Sequence, residues 1–265
     1  MIKIEKSIKS LYTINLLEGE GVGTAYEYYA KLRKLRRFMN SIGTPRNVLI
    51  AGLPEKYGLS MDFFLLAQAL GAETVIVDDR ALALERAKRV ICTLESKKLI
   101  ADIKPSFVKV DHIAEVCDNS FYKSKFDLAL SSEVLQRLNE DRAAYIARLR
   151  ELATHFAIFA PNRGNESHAK LSGLRSVHLE ELLKYCREGN SKVTIYDSGF
   201  LDMPPFPPGL SRSQEKREQA RSSRIEAILM KSLEIYSLCE SILPEFIKAK
   251  IAHIVYVMVV IPQSS

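Results

Sequence analysis

The 265-residue chain has no tryptophan and only four cysteines, Cys92, Cys117, Cys186 and Cys239, which stand far apart with no C-x-x-C pair. That spacing excludes a disulfide framework and a zinc knuckle, and reads as the reduced thiols of a cytoplasmic protein. A long apolar run is also missing. Met1 to Ser10 alternates lysine with isoleucine, which argues against a secretory signal. The longest apolar run near the end, Ile251 to Ile261, includes His253 and falls short of the about 20 residues a bilayer needs, so it reads as a buried strand and no membrane partner is expected. Repeats and low-complexity linkers are lacking too. One domain over 1–265 is therefore expected, with an N-terminal lid and helix over 1–45, a core over 46–200, a loop and helical insertion over 201–250 and a final strand over 251–265.

Hydrophobic residues make up 47% of the chain and charged ones 26%, a composition that can bury a core and excludes a disordered or fibrous protein. The net charge of +6 favours an anionic partner only weakly. Two basic clusters carry much of it, Lys31, Arg33, Lys34, Arg36 and Arg37, and Arg212, Lys216, Arg217, Arg221 and Arg224. No exposed aromatics interleave them as in single-strand binders, so both read as solvated helix faces rather than nucleic-acid contacts.

Strand-length apolar runs alternate with helical patterns, the signature of βαβ units and a mostly parallel, doubly wound α/β sheet. Strands are expected at Val48–Ala51, Thr74–Val77, Phe107–Val110, Phe126–Leu130, His155–Ala160, Lys192–Tyr196 and Ile251–Ile261. Helices are expected at Thr24–Asn40, Leu59–Leu70, Ala81–Lys98, Glu133–Leu152, Val177–Glu188 and Ser213–Ile242. In the last of these, Ile225, Ile228, Leu229, Ile235, Tyr236 and Ile242 form the apolar stripe. The loop from Gly199 to Gly209 carries four prolines and suits a rigid connector or a pocket wall.

The first strand ends at Gly52, Gly58 precedes the next helix, and the second strand ends in Asp78-Asp79. A glycine lets backbone approach a ligand, a helix N-terminus offers free N–H groups, and a carboxylate 26 residues beyond Gly52 can accept from two ribose hydroxyls. That combination binds adenosine-containing cofactors. A tighter glycine match upstream, Gly19-Glu-Gly21-Val-Gly23, follows no comparable strand and precedes no strand ending in an acid, so it reads as a lid.

Val48-Leu-Ile-Ala-Gly52, Val75-Ile-Val-Asp78 with Ala87, and Phe126-Asp-Leu-Ala-Leu-Ser131 resemble successive motifs of class I S-adenosylmethionine-dependent methyltransferases. The resemblance covers about Tyr26 to Tyr196 and the final strand. It implies a seven-stranded sheet with an antiparallel last strand, and S-adenosylmethionine between strands one and four. It places the loop Gly52-Leu-Pro54-Glu-Lys-Tyr57-Gly58 at the methionine part, Asp78 with Asp79 at the ribose, Asp111 and His112 at the adenine, and Ser131 near the sulfonium. The loop departs from the family's G-x-G-x-G. Ser131-Ser132-Glu133-Val134 also replaces the Asn- or Asp-Pro-Pro-aromatic element of members that methylate nucleic-acid and amide nitrogens. The acceptor is left open as a small molecule or a macromolecule, and no catalytic residue or metal site stands out. Two other readings compete: a non-catalytic scaffold that kept the fold, and an NAD(P)-dependent oxidoreductase in which Arg80 reaches a 2′-phosphate.

Overall fold

A computed structural model describes residues 7–55, 58–101, 104–115, 125–173, 175–188, 193–205 and 224–262. Two helices come first, α1 (Ile8–Glu18) and α2 (Val22–Ile42). Then follow β1 (Asn47–Ala51), α3 (Met61–Leu70), β2 (Glu73–Asp78), α4 (Ala81–Ser96), β3 (Ser106–Lys109), a 3-10 turn at Ile113–Glu115, β4 (Phe126–Ser132), α5 (Arg142–Leu152) and β5 (Ala153–Pro161). The chain continues through α6 (Glu166–Ser172), α7 (Leu179–Arg187), β6 (Thr194–Leu201), α8 (Arg224–Glu240), α9 (Glu245–Ile251) and β7 (Ile254–Val260).

The seven strands form one sheet in the order β3-β2-β1-β4-β5-β7-β6. Strands β1 to β5 pair in parallel, whereas β7 runs antiparallel to both β5 and β6, so the sheet is mixed. Successive side chains on a strand point to opposite faces, and both faces here are covered. Val48, Ile50, Leu128, Leu130, Phe159 and Met258 join the core under α1 to α4. Leu49, Ala51, Ala129, Ile158, Val255 and Val257 join the core under α5 and α7. Being buried on both faces is why these strands read as continuous apolar runs.

Several expected boundaries move. Helix α1 is new: Ser7 caps it by accepting from the Ser10 N–H, and Gly19 ends it in a left-handed turn. The glycines expected to form a lid are therefore helix punctuation, with Gly21 as the N-cap of α2. The helix expected from Glu133 starts only at Arg142, and Glu133 itself has φ 55°. The run Ile251–Ile261 divides between the end of α9 and β7. The apolar stripe of α8 is also turned about: Ile228, Leu229, Ile235 and Ile242 are exposed, while Met230, Leu233, Ser237 and Glu240 are buried. Tyr57 and all of 206–223 lie outside the described residues.

Candidate cofactor crevice and buried polar edge

In a doubly wound sheet, ligands bind beyond the carboxyl ends of the strands where the strand order reverses, which here is between β1 and β4. Gly52 leaves β1 with φ +87°, a conformation that favours glycine. A Cβ on it would lie 2.7 Å from Val134 Cγ2, so the close approach at this glycine is to the segment after β4. Gly58 also has positive φ (69°), and a Cβ there would strike the Tyr28 hydroxyl. Tyr145 on α5 ties the two central strands together, its hydroxyl lying 2.5 Å from the Ala51 carbonyl and 2.7 Å from Ser131 Oγ.

Asp78 ends β2 fully buried. Its carboxylate accepts from the Leu53 N–H (2.7 Å), the Arg80 N–H (2.9 Å), Arg80 Nε (2.8 Å) and Nη2 (3.1 Å), and Arg137 Nη2 (3.0 Å). Burial opposes its charge, but the Arg80 hydrogen bond and the Arg137 charge outweigh that and hold its pKa below the ordinary carboxylate value. Arg137 also pairs with Asp79 at 2.7 Å, and Arg80 donates to the Leu53 and Pro54 carbonyls. Arg80 thus turns inward onto Asp78 rather than standing ready for a 2′-phosphate. Asp111 and His112 are exposed beyond β3, with His112 3.9 Å from Asp141.

The other half of the edge buries acids without arginines. Lys31 of α2 is fully buried, with Nζ 2.8 Å from Glu27, 3.2 Å from Asp62 Oδ2 and 3.1 Å from Ser132 Oγ. The rings of Tyr28, Phe63 and Phe159 lie 5.0, 5.1 and 5.9 Å from that nitrogen. Glu18 accepts from Tyr28, Asn15 and the Leu59 N–H. Glu240 accepts from Tyr26 and the Met203 N–H, and Asp202 pairs with His253 at 3.0 Å. Burial pushes Glu18 up to about 8, and Glu27 and Glu240 to about 7, and raises Glu133 well above the ordinary value.

In the sequence Lys31 reads as part of a solvated face and Asp202 only as the start of the proline-rich connector or pocket wall, while Glu27, Asp62, Arg137 and Glu240 carry no signal of a site. The available signal was local: Lys31 stands one helical turn beyond Glu27 and Tyr28, on the face that also carries Leu35 and Phe38. Among the described residues, Cys92, Cys186 and Cys239 are free, and no helix is long and apolar enough to cross a membrane.

No protein-family model and no curated protein matches the chain. Among solved structures, an S-adenosylmethionine-dependent methyltransferase from Clostridium acetobutylicum aligns over 89% of this chain and 92% of its own, with a TM-score of 0.51 at 10% identity. The plantazolicin methyltransferase BamL, solved with S-adenosylhomocysteine, aligns over 96% and 85% at a TM-score of 0.49 and 16% identity. The magnesium protoporphyrin IX methyltransferase of Synechocystis PCC 6803, solved with bound S-adenosylmethionine, aligns over 88% and 80% at 0.47 and 13%. At such identities the likeness is one of fold. The strand order and the Clostridium structure together show that the chain has the class I S-adenosylmethionine-dependent methyltransferase fold.

The crevice suits the adenosyl cofactor in the kind and place of its residues, an acid at the tip of β2 beside a left-handed glycine at the strand-order switch. Its fit turns on Asp78. A carboxylate offers about four acceptor positions, and the backbone and two arginines fill them. Ribose hydroxyls must therefore exchange with arginine donors, for which Arg80 has room: its side chain is 32% exposed.

Proposed function

We propose that the chain is an S-adenosylmethionine-dependent methyltransferase acting on an acceptor at the carboxyl edge of the sheet. The observation that carries this is a buried acid, Asp78, at the tip of β2 in a sheet of order β3-β2-β1-β4-β5-β7-β6. In this reading Asp78, with Asp79 beside it, accepts from the ribose, the Gly52 to Gly58 loop and Pro54 border the methionine part, Ser131 lies on the floor, and Asp111 and His112 stand on the adenine side. The cofactor would supply a methyl group on a sulfonium. The chain's own residues bind, orient and exclude water, and positioning provides most of the rate in such a displacement. The whole chain is taken as one domain, its free thiols suit the cytoplasm, and the acceptor is a small molecule or a macromolecule.

Calorimetric titration with S-adenosylhomocysteine tests this. Expected is one site per chain, weakened about tenfold or more in Asp78→Asn, the loss of one good charge-assisted hydrogen bond. The arginine pair on Asp78 favours the scaffold reading as a second possibility, which predicts no binding even in Arg137→Ala. Binding of NADPH alone would instead favour an oxidoreductase.

A further inference from the structure

The same edge carries an electrostatic imbalance that the cofactor reading leaves unused. Glu18, Glu27, Asp62, Glu133, Asp202 and Glu240 arrive from α1, α2, α3 and α8 and from the ends of β4 and β6, and none is more than 9% exposed. Lys31 is the one fully buried cation among them, and His253 sits on Asp202. The charges of Glu27, Glu20, Lys31 and Asp202 all act on Glu133, and those of Asp202 and Arg33 act on Glu240.

Three of these carboxyl groups have an acceptor with no hydrogen-bond donor: Asp62, which Lys31 already meets as an ion pair at 3.2 Å, and Glu133 and Asp202. Glu133 Oε2 and Asp202 Oδ1 are buried without a hydrogen-bond partner among the described residues, although each side chain belongs to a residue only 5% exposed. Buried acceptors are ordinarily paired, so each unpaired one marks a missing donor. Both residues also hold positive φ, 55° and 65°, just past their strands. Backbone strain of this kind in non-glycine residues gathers at ligand sites.

The missing donor is an ammonium rather than a metal. Among the described residues, no three His, Cys, Asp or Glu side chains converge to hold a metal ion. An ammonium brings three donors and a charge, the chemistry that Lys31 already supplies to Glu27 and Asp62 in the same cluster. Beside the cluster a cavity of about 110 Å³ is lined by Ala30, Arg33, Lys34, Arg37, Met203 and Glu240. Glu240 belongs both to the wall of this cavity and to the cluster, so the cavity borders the cluster. Its basic wall meets an anion where the cluster meets a cation.

Resting on the methyltransferase reading, we infer that the methyl acceptor is an amine that also carries an anionic group, with its nitrogen facing Glu133 and Asp202 and its anion at Arg33 and Arg37. A carboxylate of the cluster accepts the ammonium proton and leaves the nitrogen lone pair free. That pair forms the new bond to carbon as the carbon–sulfur bond of the donor breaks, its electrons staying on sulfur.

The test uses 4-aminobutyrate, N-acetyl-4-aminobutyrate and butylammonium as millimolar probes at pH 8, by thermal shift and by calorimetry in two buffers of different ionisation enthalpy. 4-Aminobutyrate is expected to raise Tm and to release protons as buried carboxyls ionise, butylammonium to do so less, and the acetylated probe not at all. Asp202→Asn and Glu133→Gln should each weaken the response about tenfold. Equal responses to the charged and acetylated probes, no response to either ammonium, or unchanged responses in both variants overturn the inference. Loss of the response when S-adenosylhomocysteine is bound also overturns it, because the ammonium site would then be the cofactor's own. If S-adenosylhomocysteine binds and the amines do not, this inference alone fails. If the amines bind and S-adenosylhomocysteine does not, the amine site stands and the methyltransferase reading fails.

Discussion

Asp78 and Glu27 are both buried carboxylates at one edge of one sheet, yet they live under opposite rules. Around Asp78 two arginines and three elements of backbone and side chain supply more donors than the acid needs, and its pKa falls. Around Glu27 a single lysine serves several acids, and their pKa values rise to about 7 and 8. The difference teaches that burial alone does not set the charge of a carboxyl group, and neither does the count of donors, since Glu18 has three and still rises to about 8; the positive charge held beside it does.

The largest expected effect is at Lys31. Replacing it by Met removes the cation and leaves Glu27 and Asp62 facing each other, and breaking a buried pair in this way costs roughly 3–5 kcal/mol. Urea denaturation at pH 8 measures it, and a loss below about 1 kcal/mol would show that the acids do not depend on Lys31 and dissolve the contrast. Arg137→Ala is expected to cost less, about 2 kcal/mol, because Arg80 remains on Asp78. The same variant should bind S-adenosylhomocysteine more tightly than the unmodified protein, since one competing donor is gone.

The smallest effect per group is in the pH profile, and here the two regions pull in opposite directions. Acids whose pKa is higher folded than unfolded hold more protons in the folded state, so Glu18, Glu27 and Glu240 lower stability as pH rises from the ordinary 4.5 to about 7 and 8. Each contributes a slope of up to roughly 1.4 kcal/mol per pH unit inside that window. Asp78, with its lowered pKa, stabilises above its ordinary value of 3.8 and loses that contribution as pH falls through the folded value. The urea midpoint is therefore expected to peak near pH 4 (about where the two windows meet) and to fall on the alkaline side; a profile flat from about pH 5 to 8 would mean that the acids of the Lys31 cluster are not perturbed.

Much of the fold was legible because its signals are local. Each core strand is apolar on both faces, and Gly71 closes α3 in a left-handed turn as its position suggested. The tip of β2 was equally plain, since an acid after Val-Ile-Val needs only the strand to be found. What stayed hidden is non-local. Nothing near Asp78 in sequence announces that Arg137, 59 residues away, will sit on it. Lys31 lies among four other basic residues, all of them partly or fully exposed, so composition assigned it to solvent. The stripe on α8 misled for a related reason: its buried side carries Glu234, Ser237 and Glu240, which reach partners on α1 and α2, and hydrophobic periodicity registers only apolar residues.

Strand β7 lies between β5 and β6, and among the described residues no other strand pairs with β6. During synthesis β6 therefore leaves the ribosome with nothing to pair with, and waits while more than 50 residues follow, the separation of Leu201 from Ile254. Glu240 and His253 are made within that same interval, so the sheet closes and the charged edge assembles in one late, long-range step of the slow kind. A chain arrested just before β7 would be more than one strand short: it would leave β5 and β6 each with an unpaired edge, and the backbone that holds His253 against Asp202 would not be anchored.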